Sequence, residues 1–122
     1  MHVAGQIRDQ AQLARCMASA DALIHGSAAE TFGLVLAEAL CSGTPLILPD
    51  AGASATFAGP GYAQTYRVGD AQDAAAAILR LLAGNRAAQS LAASAAAEAR
   101  VSSVEQHFEK LFAIYERVAS TR

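Results

Sequence analysis

The stretch that decides the fold is residues 27–40, which read Ser-Ala-Ala-Glu-Thr-Phe-Gly-Leu-Val-Leu-Ala-Glu-Ala-Leu. A short apolar run, Ala-Leu-Ile-His at 22–25, precedes it, and a second run, Pro-Leu-Ile-Leu at 45–48, follows it. Two such runs on either side of a helical pattern are typical of two parallel strands joined by a helix. The sequence therefore predicts one βαβ unit whose first loop leads into the amino end of the helix.

The amino end of this predicted helix is a candidate site for an anion. The first N–H groups of a helix have no partner inside it, and the helix dipole favours negative charge there, so that phosphate is a natural ligand. Two carboxylates, Glu30 and Glu38, flank the site. The spacing of Ser27 and Glu30 also fits a capping box, in which Glu30 only satisfies a backbone N–H at the helix start. Spacing leaves both interpretations open.

The separation of the two acids limits the chemistry that they can share. Eight helical residues rise by about 12 Å, so Glu30 and Glu38 are expected to be too far apart to act on one bond. Glycosidases hold their paired carboxylates within about 10 Å of each other, so a two-carboxylate hydrolase fits poorly. A nucleotide-sugar, with hydroxyls at both ends and a diphosphate between them, suits the longer span.

An ordered string of motifs runs through residues 20–45. It comprises two Glu residues separated by seven others, a Phe-Gly-Leu after the first Glu and a Ser-Gly-Thr-Pro after the second. This string resembles the donor-site core of the family 4 glycosyltransferases, which have the GT-B fold. Weaker similarity extends from about residue 3 to residue 115.

The resemblance implies a fold for the whole chain. Residues 1–122 are expected to form a single, partial nucleotide-sugar-binding domain, the C-terminal donor-binding domain of such an enzyme. Its class is α/β, with a partial Rossmann-like, doubly wound parallel sheet of about three or four strands. Helices are expected on both faces of the sheet, followed by a helical C-terminal section.

The resemblance also implies which residues bind the donor: His25, Ser27, Glu30, Thr31, Phe32, Gly33, Leu34 and Glu38. Glu30, the implied catalytic residue, would contact sugar hydroxyls beside the reacting carbon. The N–H groups of residues 32–34 would bind sugar hydroxyls and the diphosphate, and Glu38 would accept hydrogen bonds from the ribose. For His25, a structural hydrogen bond is the alternative to a place near the sugar or phosphate. The family's reaction retains anomeric configuration and uses neither a metal nor another cofactor.

The same resemblance implies that more protein precedes this chain. A complete GT-B donor domain begins with two further βα units, and its acceptor domain precedes those, so the basic residues that hold the diphosphate would lie before Met1. Residues 2–7 resemble the end of a strand and its loop, and in the sheet order 3-2-1-4-5-6 this strand lies at an edge and has lost its neighbour. We expect this segment to pair either with the strand at 22–25 or with another copy of the chain, giving a homo-oligomer through an exposed sheet edge.

Cap residues predict the remaining helices. Asp9 caps a helix that ends near Ser19, Asp70 caps one that ends near Ala83, a third covers residues 86–100, and Ser102 or Ser103 caps the last. A short strand is predicted within residues 62–68. The last helix carries an apolar stripe that is predicted to pack in the core: Val104, Phe108, Leu111, Phe112, Tyr115 and Val118.

Composition excludes several functional classes. The formal net charge of −2 provides no basic surface for nucleic acid. Alanine accounts for 31 of the 122 residues, which predicts close packing through small side chains. Cys16 and Cys41 are isolated and predicted to be buried thiols. The sequence contains no apolar run long enough to span a membrane and no leader-like segment, which predicts a cytoplasmic protein.

Three functions remain open at this point. The chain could be the donor-binding part of a retaining, hexosyl-type glycosyltransferase, or a module that binds a nucleoside diphosphate or a UDP-, GDP- or ADP-sugar without turnover. It could also be an inert α/β interaction domain. Because GT-B active sites lie between two domains, the isolated chain is expected to bind weakly and not to turn over.

Overall fold

The computed structural model of the chain describes residues 1–27 and 29–121. They form a three-stranded parallel sheet with helices on both faces. In chain order the elements are α1 (Gln10–Ser19), β1 (Leu23–Ile24), α2 (Leu34–Cys41), β2 (Leu46–Pro49), a 3-10 helix (Ala53–Phe57), β3 (Ala63–Tyr66), α3 (Ala71–Leu82), α4 (Arg86–Arg100) and α5 (Val104–Ser120). None of these helices is long and apolar enough to span a bilayer, as judged over the described residues.

The sheet has the order β1-β2-β3, and all of its pairs are parallel. Leu46 of β2 lies opposite Leu23 on one side and Ala63 on the other. The segment β1–α2–β2 confirms the predicted βαβ unit. Since the strands are parallel, their carboxyl ends lie at one edge of the sheet, which is where ligands bind in open α/β sheets.

The core lies on both faces of β2, all of whose residues are buried. Side chains alternate along a strand, so Leu46 and Leu48 face α2 and α4, whereas Ile47 faces α3. On the first face, Leu36 and Leu40 of α2 are fully buried. The α/β, doubly wound character predicted from the sequence is confirmed.

Side-chain caps hold four of the five α-helices. The carboxylates of Asp9 and Asp70 and the side-chain oxygens of Asn85 and Ser103 each accept hydrogen bonds from first-turn N–H groups. Ser103 forms a complete capping box with Gln106. The predicted helices that follow residues 9 and 70, and the helix at 86–100, are confirmed to within a residue or two.

The prediction of a strand at residues 2–7 is wrong, because residues 1–9 form neither helix nor strand. A strand needs a backbone partner, and β1 pairs only with β2 within the described residues. The expected pairing of residues 2–7 with the strand at 22–25 is therefore absent from the described part of the chain. Pairing between two copies of the chain stays a prediction.

The prediction that the apolar stripe of the last helix packs in the core is also wrong. Among the described residues α5 has no buried residue, and Phe108, Phe112 and Tyr115 are 47%, 59% and 58% exposed. The two buried clusters on the faces of the sheet are completed by residues of α2, α3 and α4, and neither cluster includes a residue of α5.

The two cysteines are exposed rather than buried. Cys16 belongs to α1, which has no buried residue, and Cys41 is the last residue of α2. The prediction of buried thiols failed because helical spacing alone does not reveal which side of a short helix faces the core.

Candidate functional site

Residues 25–33 connect β1 to α2 at the carboxyl edge of the sheet. The Ser27 hydroxyl donates to the carbonyl oxygen of Ala29 at 2.9 Å. Helix α2 begins only at Leu34, with Gly33 as its N-cap, so the alternative interpretation of Ser27 and Glu30 as a capping box does not hold. The physical reason is the backbone of Gly33, whose φ of 64° is left-handed and separates the loop from the helix.

His25 and Glu30 face each other within this loop. Nε2 of His25 lies 3.2 Å from Oε2 of Glu30, and the two side chains are 14% and 24% exposed. The approach has the distance of an ion pair without the geometry of a hydrogen bond, so Nε2 has no hydrogen-bond partner among the described residues. Oε1 of Glu30 accepts from the N–H of Thr31 at 3.3 Å. The carboxylate is thus held in the loop, outside any helix.

The amino end of α2 has no side-chain cap, unlike those of the other four α-helices. The N–H groups of Leu36 and Ala37 donate to the carbonyl oxygen of Gly33. Those of Leu34 and Val35 donate to no acceptor in the described part of the chain. Such unpaired amides, together with the helix dipole, attract an anion.

The 3-10 helix supports this end of α2. A Cβ atom on Gly33 would lie 2.7 Å from Cε2 of Phe57, so the Phe57 ring rests directly against the glycine backbone. Gly33 is buried, whereas the neighbouring Thr31, Phe32 and Leu34 are exposed, with Phe32 at 81%. The amides around Gly33 are therefore supported on one side by the Phe57 ring and accessible to solvent on the side of the loop.

Glu38 lies in the second turn of α2, about 6 Å along the axis from Leu34. It is exposed and lines a groove of about 230 Å³ between α1 and α2, together with Gln10 and Met17. Because Glu30 precedes the helix, the predicted 12 Å rise along a single helix does not describe the separation of the two acids. Glu30 belongs to the loop and Glu38 to the flank of α2.

Two hydroxyl-bearing residues that sequence reasoning missed hold the first part of the loop. Ser54 is fully buried in the 3-10 helix, and its hydroxyl donates to the carbonyl oxygen of Ser27 at 3.1 Å. Tyr66, the last residue of β3, donates from its hydroxyl to the carbonyl oxygen of His25 at 2.7 Å. The position of Tyr66 at the carboxyl end of a predicted strand was the available signal.

Two open cavities adjoin the loop. One, of about 310 Å³, lies at the strand ends and is lined by Gly26, Pro49, Tyr66 and Asp70 among others. The other, of about 670 Å³, separates Phe32 and Leu34 from Phe108 of α5, and Arg100 also lines it. A loop with this layout offers a carboxylate, an imidazole and free amides to a polar, anionic ligand. No cluster of three metal-binding side chains occurs among the described residues.

Comparison with known families agrees with this geometry. A sequence model of the family described as glycosyl transferases group 1 matches residues 1–99. The chain belongs to this family. Glycosyl transfer from a nucleotide-sugar donor is therefore its general chemistry. A search among curated proteins found no match to the chain.

The matched range contains every residue predicted to bind the donor, and it ends within α4. Helix α5 lies outside the match. The part of the chain that this glycosyltransferase family accounts for is therefore the sheet with α1, α2, α3 and most of α4.

Proposed function

We propose that this chain is the C-terminal, donor-binding part of a retaining glycosyltransferase of family 4 with the GT-B fold. Residues 1–122 form one partial domain of that enzyme, and a preceding domain supplies the acceptor. The observation that carries the proposal is the meeting, on one loop, of the His25–Glu30 pair and an uncapped helix end.

In this proposal Glu30 and His25 bind the sugar. A carboxylate has about four lone-pair positions, and the hydrogen bond from the N–H of Thr31 uses one of them. The remaining positions can accept hydrogen bonds from sugar hydroxyls beside the reacting carbon. The imidazole of His25 restricts the carboxylate to one orientation, which lowers the entropy lost when the sugar binds.

The diphosphate lies against the amino end of α2. As the bond between the sugar and the diphosphate breaks, negative charge grows on the leaving oxygen. The N–H groups of Leu34 and Val35, which have no acceptor among the described residues, stabilise that charge together with the helix dipole, and neither has to move. The oxygen of the acceptor hydroxyl then bonds to the same sugar carbon with the original configuration, and its proton passes to the departing diphosphate.

Glu38 binds the ribose in this arrangement. Its carboxylate is exposed at the groove between α1 and α2, one turn beyond the amides that hold the diphosphate. A ribose placed there has its hydroxyls directed towards a charged acceptor, and hydrogen bonds to charged groups contribute about 1.5–3 kcal/mol.

The proposal is tested by titrating the 122-residue chain with UDP, GDP, ADP and their hexose esters, followed by backbone amide NMR. We expect one nucleotide series to shift the amides of residues 33–35 with a weak affinity. Glu38→Ala should weaken both members of that series by about 10- to 150-fold. Glu30→Gln should weaken only the sugar ester, because the free diphosphate does not reach residue 30.

The matched control is Glu116→Ala, which removes an exposed helical acid of α5 and should leave every affinity unchanged. Absence of binding by all six ligands would reject the proposal and favour an interaction domain. Binding that is equally insensitive to Glu38→Ala and Glu116→Ala would remove Glu38 from the site.

A further inference from the structure

The hydrogen bond from Tyr66 to His25 crosses the whole of the central strand. Tyr66 belongs to β3 and His25 directly follows β1, and β2 lies between them. Neighbouring strands are about 4.8 Å apart, so the phenol spans roughly twice that distance. Tyr66 is opposite Pro49 in the sheet register, and its ring therefore starts beside the strand that it crosses.

This contact replaces a hydrogen bond that the sheet itself cannot make. In a parallel pair, every second residue of one strand donates its N–H to one residue of the neighbour and accepts from the residue two positions further on. His25 donates its N–H to the carbonyl oxygen of Ile47 at 2.9 Å, so its own carbonyl oxygen should accept from the N–H of residue 49. Residue 49 is proline, which has no N–H.

The hydroxyl of Tyr66 occupies the place of the missing donor. It lies 2.7 Å from the carbonyl oxygen of His25, and Tyr66 is only 9% exposed. Its ring belongs to the buried cluster of Ile47, Ala77 and Leu81 on the α3 face. The backbone of His25 is therefore fixed by a side chain anchored in the core.

We infer that Tyr66 is a positioning residue of the donor site, acting through His25 on Glu30. By fixing the carbonyl group of His25, Tyr66 sets the direction in which the chain leaves β1, and so keeps Nε2 3.2 Å from Oε2 of Glu30. The inference rests on the proposed function for its link to the donor sugar. The coupling of Tyr66, His25 and Glu30 exists without any ligand.

The test measures that coupling in the 122-residue chain without ligand. The readout is the change that Glu30→Gln produces in the ring ¹⁵N chemical shifts of His25. We expect Glu30→Gln to change the His25 ring shifts in the native background, and to change them by less than about half as much in the Tyr66→Phe background. The loss of the Tyr66 hydrogen bond lets the loop depart from its geometry.

A rescue variant separates positioning from a general loss of stability. Pro49→Ala restores an N–H at the position that should donate to His25, so Tyr66→Phe combined with Pro49→Ala should recover the native response. The control is Tyr62→Phe, since Tyr62 is 5% exposed and its hydroxyl also donates to a carbonyl oxygen, that of Phe57 at 3.0 Å. This control should lose stability to a similar extent and keep the native His25 response.

Each outcome decides the inference. An unchanged response in Tyr66→Phe, or no recovery with Pro49→Ala, overturns it. If Tyr66→Phe alone does not fold, the His25 response is compared between Pro49→Ala and the double variant that combines Pro49→Ala with Tyr66→Phe. Any difference between these two responses overturns the inference. Failure of all nucleotides to bind would reject the proposed function and leave this result standing. In a chain that binds, Tyr66→Phe should weaken the sugar ester about fivefold and spare the free diphosphate.

Discussion

Helices α2 and α5 are stabilised in opposite ways. Helix α2 has eight residues, buries Leu36, Ala39 and Leu40, and has no side-chain cap at its amino end. Helix α5 has seventeen residues, none of them buried, and begins with a complete capping box. Burial of side chains on one face stabilises α2, whereas the local hydrogen bonds of its capping box stabilise α5.

This difference shows how a helix can keep its amino end available to a ligand. A cap satisfies the first N–H groups and so competes with any anion for them. Helix α2 can omit the cap because burial of its leucines stabilises it independently. Helix α5 lacks such burial, and its capping box is correspondingly the strongest stabilising feature of its first turn.

The largest expected effect tests how much the buried leucines of α2 contribute to the free energy of unfolding. Leu40→Ala should lower the free energy of unfolding by about 2–5 kcal/mol, because Leu40 is fully buried and the change leaves a cavity. The control Leu91→Ala, at a leucine 73% exposed on α4, should cost less than about 0.5 kcal/mol. Denaturant unfolding measures both. Equal losses would mean that α2 is not held by its leucines.

The second prediction concerns the left-handed glycine that starts α2. Gly33→Ala should cost about 2 kcal/mol, because a Cβ is strained at positive φ and also meets the Phe57 ring. Gly69→Ala is the control, since Gly69 has a φ of 79° and open space around the added atom, and it should cost only about 1 kcal/mol. Denaturant unfolding measures both variants. If their midpoints are identical, Phe57 does not support the amino end of α2.

The third prediction concerns the cap of α5. Ser103→Ala should destabilise this helix by about 1 kcal/mol, because the hydroxyl no longer accepts from the N–H of Gln106. Amide hydrogen exchange should accelerate in α5 while the global unfolding midpoint changes little, since α5 buries no residue. A large shift of the global midpoint would reveal packing of α5 on the core.

The smallest effect is a pH dependence in the same helix. Hydrogen bonds from its own backbone N–H and from the Ser103 hydroxyl hold the pKa of Glu105 below its usual value. Because the pKa is lower in the helix than in the unfolded chain, Glu105 stabilises α5 above the unfolded pKa, and this contribution disappears as the pH falls through the folded pKa. An NMR titration of the carboxyl group down to about pH 2 should show the low value. In Ser103→Ala the pKa should rise.

Local signals predicted most of the fold. Asp9 and Asp70 identified their helices because each is followed by the N–H groups that it accepts from, which depends only on neighbouring residues. The stripe of α5 was misassigned because its spacing predicts a helix without identifying what the apolar face contacts. Residues 2–7 were misassigned because a strand depends on a partner elsewhere in the chain.

For the site, the sequence predicted its place and missed its internal geometry. The loop after β1 follows from the predicted βαβ unit, whereas the approach of His25 to Glu30 within that loop was not predicted. The helix start was placed too early because Ser27 and Glu30 match a capping pattern, although Gly33 adopts a backbone that ends any such helix. The contribution of Tyr66 required knowledge of the register, since it depends on which strands are neighbours.

The alanines of α4 have a consequence for the position of α2 and of the loop at residues 25–33 that precedes it. Ala93 and Ala97 pack against Leu36 and Leu40 in one buried cluster. Because an alanine side chain has only one carbon, α2 and α4 can approach each other closely. The small size of Ala93 and Ala97 therefore sets the distance between the two helices. A larger residue at position 93 would push α2 sideways and carry its free amides with it. Under the proposed function, the placement of the departing diphosphate therefore depends on a methyl group encoded some sixty residues downstream.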